Sequence, residues 1–257
     1  MLNEGLHPKN KKRLQQEFEN QRTFYNLQFL KLKSGVHRSP VKLRHRKHQV
    51  LQVDEFMDLY IIHEIFVQAC YDVWPERPKN PVIIDVGANK GFFALRMQQL
   101  FPDMRLHCIE PVEHNLDRLR AHITDNKIPA KVHPFAIGFP ERTDTIYLHP
   151  TNSGGHSLVL KNKGGEQEVK VISLRNFMAL NDIDHCHMLK LDCEGAEKEI
   201  ILSIDEELAK RVDAILFESA TTELFSPQLL LDHLKGLGYV AKAHEDLFIA
   251  YKPKQKN

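Results

Sequence analysis

The sequence predicts an α/β fold: a seven-stranded, mostly parallel sheet with helices on both faces, a β-hairpin insertion and a basic N-terminal extension. Three observations lead there. Residues 82–86, Val-Ile-Ile-Asp-Val, form a β-branched run that breaks into Gly87-Ala88-Asn89-Lys90-Gly91 before a helical pattern resumes at Phe92. Arg105 to Ile109 alternates and closes on Glu110-Pro111, 19 residues past Gly91, where the second parallel strand of a βαβ unit should end. Strand-like and helical stretches then alternate to about residue 252, so helices must cover both sheet faces.

Taken in order, the chain starts with an unevenly charged extension. Its 257 residues carry a formal net charge of +1, yet residues 1–47 hold twelve Lys or Arg against Glu4, Glu17 and Glu19. Leu14, Phe18, Leu27 and Leu30 suggest a helix between Lys9 and Lys33 that stops near Ser34-Gly35, and residues 38–47 read as a basic linker. Asp54 is placed to cap a helix through about Cys70 with Phe56, Leu59, Ile62 and Phe66 on its apolar face. The Pro-rich stretch 74–81 then leads into the first strand.

Helices follow at about 92–100 and 112–125, and residues 132–138 read as the third strand with its exit loop. Thr145–Leu148 and Val169–Ile172 are strand-like runs flanking a Gly-rich span from Asn152 to Gly165, which predicts a hairpin insertion with a mobile tip. The remainder reads as helix 174–180, strand 187–192, helix 195–203, strand 213–218, helix 227–236 and a closing strand pair, with Gly236 and Gly238 ending the last helix. In such a sheet ligands sit at the carboxyl ends of the strands, at the switch point between the first and fourth. Asp85, Glu110, Ala136, Asp192 and Glu218 map to that edge.

The turn narrows the ligand. A dinucleotide turn needs glycine at its first, third and sixth positions, but Asn89 and Phe92 fill the last two here, and no Gly-Lys-Ser/Thr phosphate loop follows. The second glycine stands at the fifth position instead, with Asp85 two residues before the first. A carboxylate at Glu110 is placed to accept both hydroxyls of a ribose.

Four segments in order, Ile84-Asp-Val-Gly-Ala-Asn-Lys-Gly91, Val132–Gly138, Gly154-Gly-His-Ser-Leu158 and Leu189-Lys-Leu-Asp-Cys-Glu-Gly-Ala-Glu197, resemble the FkbM family of S-adenosylmethionine-dependent methyltransferases over about residues 80–252. The last segment is the most specific of them. The resemblance implies a Rossmann-like class I methyltransferase fold, S-adenosyl-L-methionine as cofactor, and methylation of a hydroxyl on a small molecule or sugar. The cofactor is then expected on Asp85, Gly87, Ala88, Asn89, Gly91 and Phe92 of the turn, on Glu110 and Pro111, and on Ala136 and Ile137. Catalytic roles are expected for Lys190 and Asp192, which share one strand face, for Glu194, and for His156 as a base on the insertion. Lys190 has a competing structural reading as half of a buried ion pair.

Residues 1–50 are accordingly read as the partly helical extension and 51–257 as the methyltransferase domain. The extension has two readings: an RNA or protein substrate gripped by its positive charge, which stands as the alternative function, or docking on the acidic body or a partner subunit in a homo-oligomer. A solvated or self-docking arm is preferred because no RNA-binding signature accompanies the charge, and the Pro-Pro-Tyr motif of amino-group methylation is missing after Asp192.

No stretch of about 18 apolar residues predicts a membrane span, and Met1-Leu-Asn-Glu-Gly lacks the apolar core of a signal peptide, so the expected location is cytoplasmic. Cys70, Cys108, Cys186 and Cys193 form no Cys-x-x-Cys pair and are read as thiols. His185-Cys186-His187 mimics a metal cluster, but alternation along a strand separates the cysteine from the histidines, and no metal site is expected.

Overall fold

The computed structural model describes residues 8–24, 26, 41–74, 77–161, 163–218, 227–244 and 247–253. The apolar runs become β3 (Val82–Val86), β4 (Arg105–Ile109), β5 (Ala130–His133), β9 (Met188–Leu191), β10 (Ala214–Glu218), β11 (Val240–His244) and β12 (Leu247–Tyr251). They form one seven-stranded sheet in the order β11-β12-β10-β9-β3-β4-β5. The five strands from β10 to β5 are parallel, and β12 runs antiparallel to both its neighbours.

Period-two alternation divides the core. Ile83, Leu106, Cys108, Met188 and Leu216 face α3 (Phe92–Leu100) and α4 (Glu113–Asp125), whereas Ile84, Val86, Leu189, Leu191, Ile215 and Phe217 face the other way. Against the second face lie α5 (Leu174–Leu180), α6 (Glu197–Leu202), α7 (Glu206–Ala209) and α8 (Pro227–Gly236). Because the chain winds outward from β3 to β5 and then returns to β9 on the other side of β3, the connections leaving β3 and β9 part to opposite faces of the sheet. That parting is the crevice of an open parallel sheet.

The third strand is shorter than the sequence suggests. Pro134 has no N–H to donate, so the chain leaves the main sheet after His133, and Ala136–Ile137 becomes a separate β6. β6 pairs in parallel with β8 (Glu166–Ile172), which pairs antiparallel with β7 (Arg142–Tyr147). The insertion is therefore a three-stranded sheet beside the crevice.

The extension departs most from expectation. Its first helix, α1 (Pro8–Glu17), buries Leu14, and Phe18 and Phe24 are fully buried after it; the expected continuation through Leu27 and Leu30 lies outside the described residues. Residues 41–53, where the sequence predicts a basic linker up to residue 47, form a hairpin of β1 (Val41–Arg44) and β2 (Val50–Val53). Alternation explains it: Leu43 is buried while Lys42 and Arg44 point outward.

The next helix, α2 (Phe56–Ile62), is capped by Glu55 rather than Asp54, because Arg118 draws Asp54 away at 2.6 Å. Asp58 Oδ2 instead accepts the N–H groups of Asp54 and Glu55. The helix then widens to π pitch over His63–Gln68 and stops at Ala69, whose φ is 58°. Arg96 of α3 ties these parts together, holding Asp72 at 2.5 Å and Glu17 at 3.4 Å.

Phe18 has no exposed surface, stacks near Phe24 and meets Phe66 edge-on. Phe18→Ala is expected to lower unfolding free energy by about 3–5 kcal/mol in urea denaturation of the full chain. A merely solvated arm would leave the midpoint unchanged.

Candidate functional site

The turn after β3 is held by contacts only glycine allows. At Gly87, with φ of 77°, a Cβ would stand 1.8 Å from the Asp192 carbonyl oxygen. Backbone from β3 and from the end of β9 therefore touches directly at the crevice, where Asp192 N–H donates to the Val86 carbonyl at 3.1 Å. Asn89 also adopts positive φ, at 48°, and its N–H donates to Glu110 Oε2 at 2.8 Å. The other Glu110 oxygen accepts the Val112 N–H at 2.9 Å. Burial pushes the Glu110 carboxyl up to about 7, against the pull of those two donors. Gly91, with φ of 87°, starts α3 against Leu119.

Two adjoining clefts open here. The first, about 510 Å³ counted with its open mouth, runs over Gly87, Asn89, Glu110, Pro111, Ala136 and Ile137 toward Asn115, Ser153 and His156. The second, about 2160 Å³ with its open mouth, extends over Ala88, Phe92, Lys190, Tyr71 and Glu218. Gly87, Asn89, Gly154, Asp192 and Glu194 line both and mark their junction. Of the expected site residues, Asp85 and Gly91 lie beneath these surfaces, and Phe92 faces the second cleft.

Lys190 is 3% exposed and holds Asp85 Oδ1 at 3.0 Å, Asp192 Oδ2 at 3.3 Å and the Gly87 carbonyl at 3.3 Å. Burial alone would lower its proton affinity, but Asp85 and Asp192 more than offset it and raise the value, so the ammonium stays charged. Burial likewise pushes Asp85 up while Lys190 pulls it down. Glu194 has a φ of 56°, and burial followed by repulsion from Asp192 lifts its carboxyl to about 7. A non-glycine residue held in that region marks a site where surroundings override local preference.

Tyr71 was not singled out in the sequence. Its hydroxyl lies 3.1 Å from Glu218 Oε1 and 3.4 Å from Asp192 Oδ2. Glu218, exposed where it borders the second cleft, titrates upward chiefly from the Asp192 charge. His156 borders the first cleft, and its Nδ1 accepts the His149 N–H at 2.9 Å. A neutral ring then carries its hydrogen on Nε2, which makes that nitrogen a donor toward the cleft rather than a base.

The insertion is pinned over the first cleft rather than free at its tip. Asn115 Nδ2 donates to the Ser153 carbonyl at 3.0 Å, Ser153 N–H to Glu55 at 3.3 Å, and Ser157 Oγ to the Glu194 carbonyl at 2.6 Å. Glu55 in turn holds Lys90, which has no exposed surface, at 2.8 Å. Among the described residues, Asn89 Oδ1, Asn115 Oδ1 and Ser153 Oγ are buried and find no partner, and all three residues line this cleft. Unmet polar atoms beside Glu110 fit a ligand with hydroxyl and amino groups, such as an adenosine.

At the opposite, amino end of the sheet, His185, His187 and Asp213 offer ligand atoms within 4.8 Å of one another. Val82 N–H donates to His187 Nδ1 at 3.0 Å, so the hydrogen of the neutral ring sits on Nε2, and Asp213 occupies His185 Nε2 at 2.8 Å. A ligating histidine needs a bare nitrogen facing the ion, which His187 Nε2 is not; His185, donating to a carboxylate through Nε2, keeps Nδ1 bare.

A profile described as the methyltransferase FkbM domain matches residues 85–241. The chain belongs to the FkbM methyltransferase family. Similar proteins include methyltransferase sdnD of Sordaria araneosa, 27% identical over 202 residues, spanning 66% of this chain and 78% of that one. The 31-O-demethyl-FK506 methyltransferase FkbM of Streptomyces tacrolimicus is 22% identical over 222 residues, 74% of this chain and 85% of its own. The 2-O-methyltransferase NoeI of Sinorhizobium fredii is 27% identical over 190 residues, 65% and 76% respectively. Among solved structures, a precorrin-6y C5,15-methyltransferase from Geobacter metallireducens aligns with a TM-score of 0.41 at 13% identity, over 69% of this chain and 82% of that one.

The FkbM match contains the turn, Glu110, the insertion and the Lys190–Glu194 segment, but it starts after Glu55 and Tyr71. In this FkbM methyltransferase, residues outside the matched domain thus supply one wall of the second cleft. For the turn itself, Gly87→Ala is expected to cost more than the ~1–3 kcal/mol of backbone strain alone, because the methyl group also collides with Asp192. Thermal denaturation measures that loss. An unaltered melt would show that the two strand ends can separate freely.

Proposed function

We propose that this FkbM methyltransferase uses S-adenosylmethionine to methylate a hydroxyl group on a small molecule or sugar. The observation that carries the reading is the junction at Asp192 and Glu194 between a cleft suited to adenosine and a broader second cleft. Relatives named as a 31-O-demethyl-FK506 methyltransferase and a 2-O-methyltransferase support oxygen as the acceptor atom.

Glu110 is placed to accept ribose hydroxyls, and Asn89, Asn115 and Ser153 offer the buried polar atoms that still lack partners. The Gly87 turn lets a ligand approach the backbone closely. When bound, S-adenosylmethionine supplies a methyl group already activated by positive sulfur, so orientation of the acceptor contributes much of the rate. Lys190 fixes Asp192 at the junction, where its carboxylate is in place to draw a proton from an acceptor hydroxyl. His156 is in place as a hydrogen-bond donor from the insertion.

An RNA or protein substrate bound through the basic extension has less support. Leu14, Phe18 and Leu43 turn the extension inward, and Arg13 and Arg46 are engaged by Asp72 and the Gln15 carbonyl.

Calorimetry is expected to detect binding of S-adenosylmethionine and S-adenosylhomocysteine, but not NAD. Glu110→Ala should weaken the homocysteine form by about 1.5–3 kcal/mol, the range for hydrogen bonds to a charged group. Unchanged affinity would remove Glu110 from the ribose position. Against a panel of polyhydroxylated acceptors, Asp192→Asn should reduce methyl transfer far more than cofactor affinity, with a melting curve to verify folding. Full turnover in the folded variant would reassign Asp192 to structure.

A further inference from the structure

Tyr71 bridges two carboxylates with only one hydrogen to donate. Its ring is 4% exposed and packs edge-on against Phe93 at 5.2 Å, which fixes the hydroxyl between Asp192 and Glu218. A phenol can donate to only one of them at a time. Both contacts are favourable together only if the second carboxyl carries a proton and donates it to the phenol oxygen. The row therefore has room for one proton besides the phenol's own hydrogen.

The reaction proposed above creates a need for such a store. A hydroxyl oxygen gaining a methyl group loses its proton, and the donor sulfur loses its positive charge at the same moment. A proton retained nearby replaces the lost charge and spares the cavity an uncompensated negative group. We infer that Asp192, Tyr71 and Glu218 form the exit route for the acceptor's proton, with Asp192 as the base and Glu218 as the final holder. This inference rests on the proposed methyl transfer.

Each step balances. The oxygen–methyl bond forms as the sulfur–methyl bond breaks, and the electrons of the acceptor O–H bond remain on oxygen while its proton passes to Asp192. Asp192 then gives a proton to the Tyr71 oxygen as Tyr71 passes its own hydrogen to Glu218 Oε1. Asp192 borders both clefts and can touch the acceptor at their junction, whereas Glu218 borders only the second. Lys190 of β9 and Asp192 just beyond it face Glu218, and Glu64, Cys70 and Tyr71 face it from the π-helical segment and its exit. Repulsion from Asp192 and Glu64 favours the proton on Glu218, while Lys190 holds the Asp192 carboxylate in place at 3.3 Å. Tyr71 is then a positioning residue, acting through the two carboxylates.

The distinguishing measurement is the proton count on ligand binding, obtained by titration calorimetry of the full chain in buffers of different ionisation heat. S-adenosylmethionine and S-adenosylhomocysteine share amino and carboxylate groups and differ in charge at sulfur. At about pH 7.5 the positive sulfur should drive a fraction of a proton off Glu218, whereas the neutral ligand should not. Glu218→Gln should remove most of this difference. Glu194→Gln, at the other raised carboxylate, should retain most of it. Tyr71→Phe preserves the ring packing but removes a hydrogen bond that stabilises the Glu218 charge, so maximal release should move to higher pH. Equal proton counts for the two ligands, a difference surviving Glu218→Gln, or an unmoved maximum in Tyr71→Phe would overturn the relay while leaving the methyltransferase reading intact. Failure of both ligands to bind would overturn that reading itself and the relay with it.

Discussion

An ammonium group buried in a parallel sheet needs counter-charge within contact, and the strand ends around Lys190 are arranged by that need. Removing such an ion from water costs several kcal/mol even after the surroundings relax. Asp85, its register partner across β3 and β9, supplies the first anion, and Asp192 the second. The Tyr71 and Phe93 rings sit 5.7 and 5.4 Å from the Lys190 nitrogen and exclude water from the same space. With the ion locked, β3 and β9 cannot slip past one another, and Gly87 meets the Asp192 backbone. The turn and the fourth strand's carboxylates thus behave as one rigid edge.

A second buried ammonium links that edge to parts of the chain far away in sequence. Lys90 has no exposed surface and contacts Glu55 and Asp58, each at 2.8 Å. Since Glu55 also accepts the Ser153 N–H, this cation couples the turn, the start of α2 and the insertion. The extension completes the same construction from outside: Glu17 of α1 meets Arg96 and His45, while Phe18 fills the core beside Phe66. Acidic and aromatic residues dock the extension, so its large positive count is a poor guide to what it touches.

Much of the central sheet was legible because its strands are apolar runs that stop at acids or turns. Asp85, Glu110 and Asp192 could be placed at one edge for that reason alone. Elements away from those runs were harder to read. The β1 strand has only four residues, and Lys42 and Arg44 around Leu43 hide a period-two pattern behind basic composition. The apolar spacing of Phe56, Leu59, Ile62 and Phe66 does not reveal that the helix widens after Ile62. Burial of Lys90 depends on Glu55 and Asp58, and Tyr71 reaches Glu218 across 147 residues. Local periodicity carries no record of such contacts.

The acidic character of the second cleft also bears on which atom it can serve. Glu64, Asp192, Glu194 and Glu218 surround the space beside Lys190. An amine arriving there would be stabilised as ammonium, whose nitrogen has no lone pair with which to attack a methyl group. A hydroxyl remains neutral in the same surroundings, keeps its lone pairs, and needs only a nearby carboxylate to receive its proton as the new bond forms. Even with Glu194 lifted to about 7, the remaining negative charge would hold an amine as ammonium, which fits the proposed hydroxyl acceptor.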